Sequence, residues 1–153
     1  DTFGATTLRF NYRGVGASDG EYDHAIGEYD DLISMCDWLS QQHPGSQLIL
    51  AGFSFGSFLV AKAASIYQPA MLITVAPAIE RQAYGDYPQY PGPWCLIQGD
   101  EDELTPASTV YAWADQHPTP PSIMRIPDAS HFFHGKLGDI ERCLGAYLED
   151  KLS

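Results

Sequence analysis

The stretch Gly52-Phe53-Ser54-Phe55-Gly56 decides how this chain is read. An apolar run, Leu48-Ile49-Leu50-Ala51, leads into it, and a small-residue run, Phe58-Leu59-Val60-Ala61-Lys62-Ala63-Ala64, leads out. Strand, glycine-flanked serine and helix in direct succession form the setting in which a serine is presented on a sharp bend. Cβ atoms at both flanking positions are expected to collide in so tight a turn, so glycine fits there. The bend lifts the hydroxyl above the sheet edge, and the backbone N–H groups of the helix N-terminus face the same spot. A serine so placed can attack a carbonyl while those amides stabilise the oxyanion. Taken alone, the pentapeptide is equally a glycine-rich turn that happens to hold a serine.

Further motifs tilt the balance. Gly99-Asp100-Glu101-Asp102 ends an apolar run, Trp94-Cys95-Leu96-Ile97, and Asp128-Ala129-Ser130-His131 follows Ser122-Ile123-Met124-Arg125-Ile126. Serine, then acid, then histidine, each at the end of a strand pattern, is one of the chain orders used for nucleophilic catalysis. Upstream, Leu8-Arg9-Phe10-Asn11-Tyr12-Arg13-Gly14-Val15-Gly16-Ala17-Ser18 reads as a strand entering a glycine-rich loop. Together these four motifs resemble the α/β-hydrolase superfamily over nearly the whole chain. The likeness is to small cap-less bacterial serine hydrolases related to dienelactone hydrolases, whose histidine motif also reads His-Phe-Phe-His, as residues 131–134 do here.

That resemblance implies Ser54 as nucleophile, His131 as base and later acid, and Asp102 as the carboxylate that orients the imidazole. Asp102 follows the strand-end glycine by three positions, as in the family; Asp100 competes with it and Asp128 stands third. His134 is the alternative histidine. Glu101 and Glu103 are expected to point to solvent. The resemblance also implies the backbone N–H of Phe55 as the first oxyanion donor, and it assigns no second donor and no substrate-binding residue. Arg13 either ties adjacent loops together or binds a substrate carboxylate. The implied activity is metal-independent and cofactor-free hydrolysis of small carboxylic esters, with thioesters or lactones open to the same residues. A fold relative that binds without turnover is the competing class. Serine in the elbow departs from dienelactone hydrolase proper, which carries cysteine there.

Composition sets outer bounds. The chain has 153 residues, 44% of them apolar, and a formal charge of −12, which fits one globular domain and disfavours nucleic acid or an anionic membrane as partner. The longest apolar runs fall short of a membrane span. Cys36, Cys95 and Cys143 lack any metal-like spacing and read as free thiols in a reducing, cytoplasmic setting. Oligomeric state is not legible.

The hydrophobic pattern predicts strands over 5–12, 47–51, 70–76, 94–98 and 122–126. It predicts helices over 25–42, 55–66, 105–116 and 136–150. Thr105-Pro106 reads as N-cap and first-turn proline. In the first of these helices Tyr29, Leu32, Ile33, Cys36 and Leu39 form the apolar stripe, and the acids Glu28, Asp30 and Asp31 a solvated face. Tyr84, Tyr87 and Tyr90, in a proline-broken segment too short for a lid, either line a pocket or pack on the sheet. The whole reads as an α/β domain, a mostly parallel sheet with helices on both faces. In the family, the strand resembling 5–12 is the fourth, and a third lies between it and the elbow strand. Nothing here supplies strands one to three, so we expect a partial domain lacking them and the loop that carries one oxyanion-hole N–H.

Overall fold

The computed structural model describes residues 4–85 and 87–152, and its ordered elements fall into two units, residues 1–46 and 47–153.

In the first unit, residues 4–12 run without assigned secondary structure into turns at 13–17. The strand expected over 5–12 is therefore not formed. Alternation supplies a pleat, but a strand exists only where a neighbour completes the ladder, and the four strands of the sheet are other segments. The helix α1 spans Gly27–Gln42 and buries Leu32 and Cys36. Its start differs from the expected 25 because His24 and Ala25 take positive φ angles of 52° and 67°, which no helical residue adopts. Glu28 corrects the reading of the acids as a solvated face: it is only 2% exposed. Its carboxylate accepts the N–H groups of Asp23 at 2.7 Å and Ala25 at 2.9 Å, holding the turn that feeds the helix. Arg13 lays its guanidinium against Asp31, with Nη2 2.7 Å from Oδ1 and Nε 3.1 Å from Oδ2. That bidentate pair, which holds the Asp31 carboxyl below its usual range, makes Arg13 a tie between segments.

The second unit is built on strands β1 (Ile49–Phe53), β2 (Met71–Val75), β3 (Trp94–Gly99) and β4 (Ser122–Ile126), in spatial order β1-β2-β3-β4. Every neighbouring pair is parallel. β1 lies two residues later than expected. Gly52 and Phe53, which read as turn, instead pair with Thr74 and Val75, so the strand runs to the edge of Ser54. The central strands β2 and β3 are buried almost throughout, as strands covered on both faces must be.

Helices α2 (Phe55–Tyr67), α3 (Ala107–Ala114) and α4 (Leu137–Leu152) complete the unit. On one face Phe58 of α2, Tyr84, Trp113 of α3 and Trp94 of β3 form a chain of edge-on rings with centroids 5.0–5.7 Å apart. Trp94 Nε1 there donates to Thr74 Oγ1 at 2.9 Å. On the other face Met71, Ile73, Cys95, Ile97 and Ile126 meet Ile140, Cys143, Leu144, Tyr147 and Leu148 of α4. Fully buried side chains such as Leu59, Met71, Leu72, Leu96 and Ile97 contribute roughly 1.5–3 kcal/mol each. Tyr84 and Tyr90 are buried; Tyr84 packs against Phe58 and Trp113, whereas Tyr90, whose Oη donates to the Pro69 carbonyl at 2.7 Å, also borders a cavity that Trp113 and His117 line. The helix after Thr105 is shorter than 105–116, and Thr105 is not its cap. Its hydroxyl is buried without a hydrogen bond, while its own N–H donates to the Asp102 carboxylate at 2.8 Å. Among the described residues no helix is long and apolar enough to cross a membrane.

Candidate active site

Every candidate catalytic side chain sits just beyond the C-terminal end of a strand: Ser54 after β1, Asp102 after β3, His131 after β4. That edge is where parallel α/β sheets open a crevice.

Ser54 has φ 50° and ψ −112°, a combination that costs roughly 1–3 kcal/mol for a residue with a Cβ. The surroundings enforce it. Ser54 N donates to the Val75 carbonyl at 2.8 Å, and Ser57 Oγ lies 2.7 Å from the Gly52 carbonyl and 2.9 Å from that of Val75. The same hydroxyl accepts Val75 N–H at 3.1 Å. The two glycines of the motif are not equivalent. A Cβ on Gly52 would lie 2.5 Å from the Gly56 carbonyl carbon and 2.7 Å from Ser57 N, whereas one on Gly56 would meet nothing within 4 Å. The expected collision holds for Gly52 only, because the bend folds α2 back over Gly52 and leaves Gly56 on its open side.

His131 Nε2 lies 3.0 Å from Ser54 Oγ, and His131 Nδ1 lies 2.9 Å from Asp102 Oδ2. Histidine and aspartate are both buried, 2% and 6% exposed. Asp102 is saturated with donors: Thr105 N–H at 2.8 Å and Leu104 N–H at 2.9 Å reach Oδ1, and Gln98 Nε2 reaches Oδ2 at 3.0 Å. Burial pushes its carboxyl up, but the Thr105 amide, the His131 ring, the Leu104 amide and the Gln98 amide outweigh it and hold the group below its ordinary value. Asp102 therefore stays ionised opposite the imidazole.

The competing candidates are elsewhere. Asp100 Oδ1 accepts the Tyr111 hydroxyl at 2.8 Å, and Tyr111 in turn carries the Arg125 guanidinium 4.2 Å above its ring. Asp128 is an exposed residue 3.9 Å from Lys136 Nζ. His134 is exposed and has its ring 6.1 Å from that of Phe132. Phe55 opens α2, so its N–H belongs to the first-turn amides that face the N-terminal end of the helix.

Three participants were not legible in the motifs. Glu103 does not simply point to solvent: its Oε2 accepts the backbone N–H of His131 at 3.0 Å, which draws its carboxyl below the usual range. Gln98 is fully buried, and a polar residue closing the run Trp94–Ile97 was a usable signal that it serves something polar. Ser57, lost among small helical residues, gave none.

The family model described as serine aminopeptidase, S33, matches residues 1–91. A lidless α/β serine hydrolase from Xanthomonas campestris superposes with a TM-score of 0.88 at 41% identity, over 93% of this chain and 65% of that one. An α/β serine hydrolase homologue from Coxiella burnetii gives 0.88 at 39%, over 92% and 67%. An uncharacterized protein of Rickettsia prowazekii is 30% identical over 95% of this chain and 65% of its own length. This chain thus spans about two thirds of the length of these relatives. With the family match covering more than half of its residues, and the parallel sheet and strand-to-helix serine bend in place, the chain belongs to the serine aminopeptidase S33 family of α/β serine hydrolases.

Proposed function

We propose that the chain carries the catalytic residues of a serine hydrolase acting on small carboxylic esters through an acyl-enzyme. The single observation that carries this reading is the relay from Ser54 Oγ through the two nitrogens of His131 to Asp102 Oδ2, with steps of 3.0 and 2.9 Å. Serine is a weak nucleophile until a base takes its proton. His131 Nε2 is within reach of that proton, and Asp102 accepts from Nδ1, selects the tautomer and stabilises the imidazolium. Ser54 Oγ attacks the ester carbonyl, and the oxyanion is met by the N–H of Phe55. Collapse transfers the proton from His131 to the departing alcohol, and water repeats the sequence to release the acid. The scheme uses no metal and no cofactor.

Two assays test the reading. A fluorophosphonate should label Ser54 in the full-length protein, and Ser54→Ala should abolish both labelling and p-nitrophenyl acetate turnover while leaving the fold intact. Turnover surviving in Ser54→Ala refutes the nucleophile. Absent labelling of the parent leaves the alternative, a fold relative that binds without turnover. An amino-acyl anilide serves as counter-substrate: if it is cleaved faster than the ester, the reading moves to a peptidase.

A further inference from the structure

Two large apolar side chains stand in the open beside the reacting atoms. Phe53, the residue before Ser54, is 42% exposed, and Phe132, the residue after His131, is 54% exposed. Their ring centroids lie 6.1 Å apart, and each lies 5.1 Å from the centroid of the His131 imidazole. Exposed phenylalanines scattered singly need no explanation, but two drawn together from the end of β1 and the loop after β4 around one catalytic candidate form a patch that a ligand would cover. Resting on the hydrolase reading above, we propose that Phe53 and Phe132 are specificity-determining residues that receive an uncharged apolar group, best an aromatic one, on the alcohol side of the ester.

The assignment to the alcohol side follows from proton traffic. As the Ser54 Oγ–acyl bond forms and the acyl–oxygen bond to the alcohol breaks, the serine proton passes to His131 Nε2 and from there to the departing alkoxide. The leaving oxygen must therefore sit within hydrogen-bonding reach of Nε2, and whatever it carries lies beside the imidazole, where the two rings are. A ring there stacks offset or edge-on and removes apolar surface from water on both sides. The charge of the alcohol is set by the neighbourhood: the Glu103 carboxylate on the His131 amide, and a chain with a formal charge of −12, disfavour an anionic group.

The test uses the full-length protein, a separate sample of which is labelled with a fluorophosphonate to establish Ser54 as reactive. Values of kcat/KM are then measured for benzyl acetate, methyl acetate and methyl hexanoate in the parent, Phe132→Ala and Phe53→Leu. The benzyl-to-methyl ratio should fall about twofold to tenfold in each variant, the worth of one aromatic contact, while the hexanoate-to-acetate ratio keeps its parental value. Phe53→Leu retains apolar volume beside the imidazole, so it reports on the ring should an alanine there disturb the fold. An unchanged benzyl-to-methyl ratio overturns the proposal, and so does a loss that follows the acyl chain instead. A parent that is neither labelled nor active overturns the hydrolase reading itself, an outcome distinct from a labelled enzyme indifferent to the alcohol.

Discussion

Replacing Gly52 with alanine puts a methyl group where the backbone of the bend already lies. The new Cβ would stand 2.5 Å from the Gly56 carbonyl carbon and 2.7 Å from Ser57 N, about 1 Å inside an ordinary carbon contact. Both obstacles are main-chain atoms of the first turn of α2, so no rotamer change clears them. Nor can the turn retreat cheaply, because Ser57 Oγ ties it to the Gly52 and Val75 carbonyls. Overpacking costs roughly 1–3 kcal/mol where side chains can adjust, and against fixed backbone the upper end, about 3 kcal/mol, applies. Gly56→Ala is the internal control: its Cβ meets nothing within 4 Å, and alanine in a helix gains roughly 0.5–1 kcal/mol over glycine. Equilibrium urea unfolding of parent and variants, compared at equal m, reads the difference directly. We expect Gly52→Ala to be less stable than Gly56→Ala by about 3–4 kcal/mol. Two variants within about 1 kcal/mol of each other, near the error of extrapolation, would refute the packing argument, as would Gly56→Ala being the weaker.

Other outcomes follow from the same contacts. Asp102→Asn should lower kcat on p-nitrophenyl acetate by roughly 10³- to 10⁴-fold through loss of the correct imidazole tautomer, while Asp100→Asn, which loses only the Tyr111 hydroxyl, changes it little; the reverse ranking would move the acid two residues. Glu103→Gln should slow kcat by less than Asp102→Asn does and leave KM nearly unchanged, since it loosens the backbone of His131 and not the ester site; a loss confined to KM would contradict that. Asp102 also sets a pH dependence of stability. Its carboxyl is held below the ordinary value, so its contribution is complete above about pH 4 and is lost as pH falls through the lower folded value. Melting temperature should thus drop more steeply with acidification in the parent than in Asp102→Asn, and parallel curves would sink the assignment.

Much of the sheet could be read from the chain because β2 and β3 are buried parallel strands whose apolar runs end where proline or glycine ends them; residues 122–126, a more exposed strand, were placed to the residue. β1 was read two residues early because glycine and phenylalanine before a serine look like turn, whereas only the ladder to Thr74 and Val75 shows that the strand continues. Residues 5–12 had the pattern of a strand, yet pattern does not supply a hydrogen-bonded neighbour. At the site, Ser54, His131 and Asp102 were legible because motif order stands for geometry in this fold. Glu28 and Glu103 were not. Each carboxylate is used by backbone amides brought to it by turns, and nothing in the local sequence announces those turns.

The spacing of the candidate residues belongs to the sheet more than to the loops that carry them. Ser54 N hangs from the Val75 carbonyl, and Ala76 N from that of Ile97. Asp100 N hangs from the Ile126 carbonyl, and Glu101 N from that of Ala129. His131 closes the series by donating its amide back to Glu103. Each loop is thus fastened to the next strand along, so the 3.0 Å between His131 Nε2 and Ser54 Oγ is the sum of three parallel registers. A slip of one residue in any of them shifts a loop by about 3.3 Å and turns its side chains to the other face, more than a hydrogen bond tolerates. The strained φ of Ser54 persists for the same reason, since relaxing it would mean giving up the Val75 carbonyl. Substitutions in β2 or β3 that loosen the ladder, with no contact to the site, should therefore cost activity before they cost the fold.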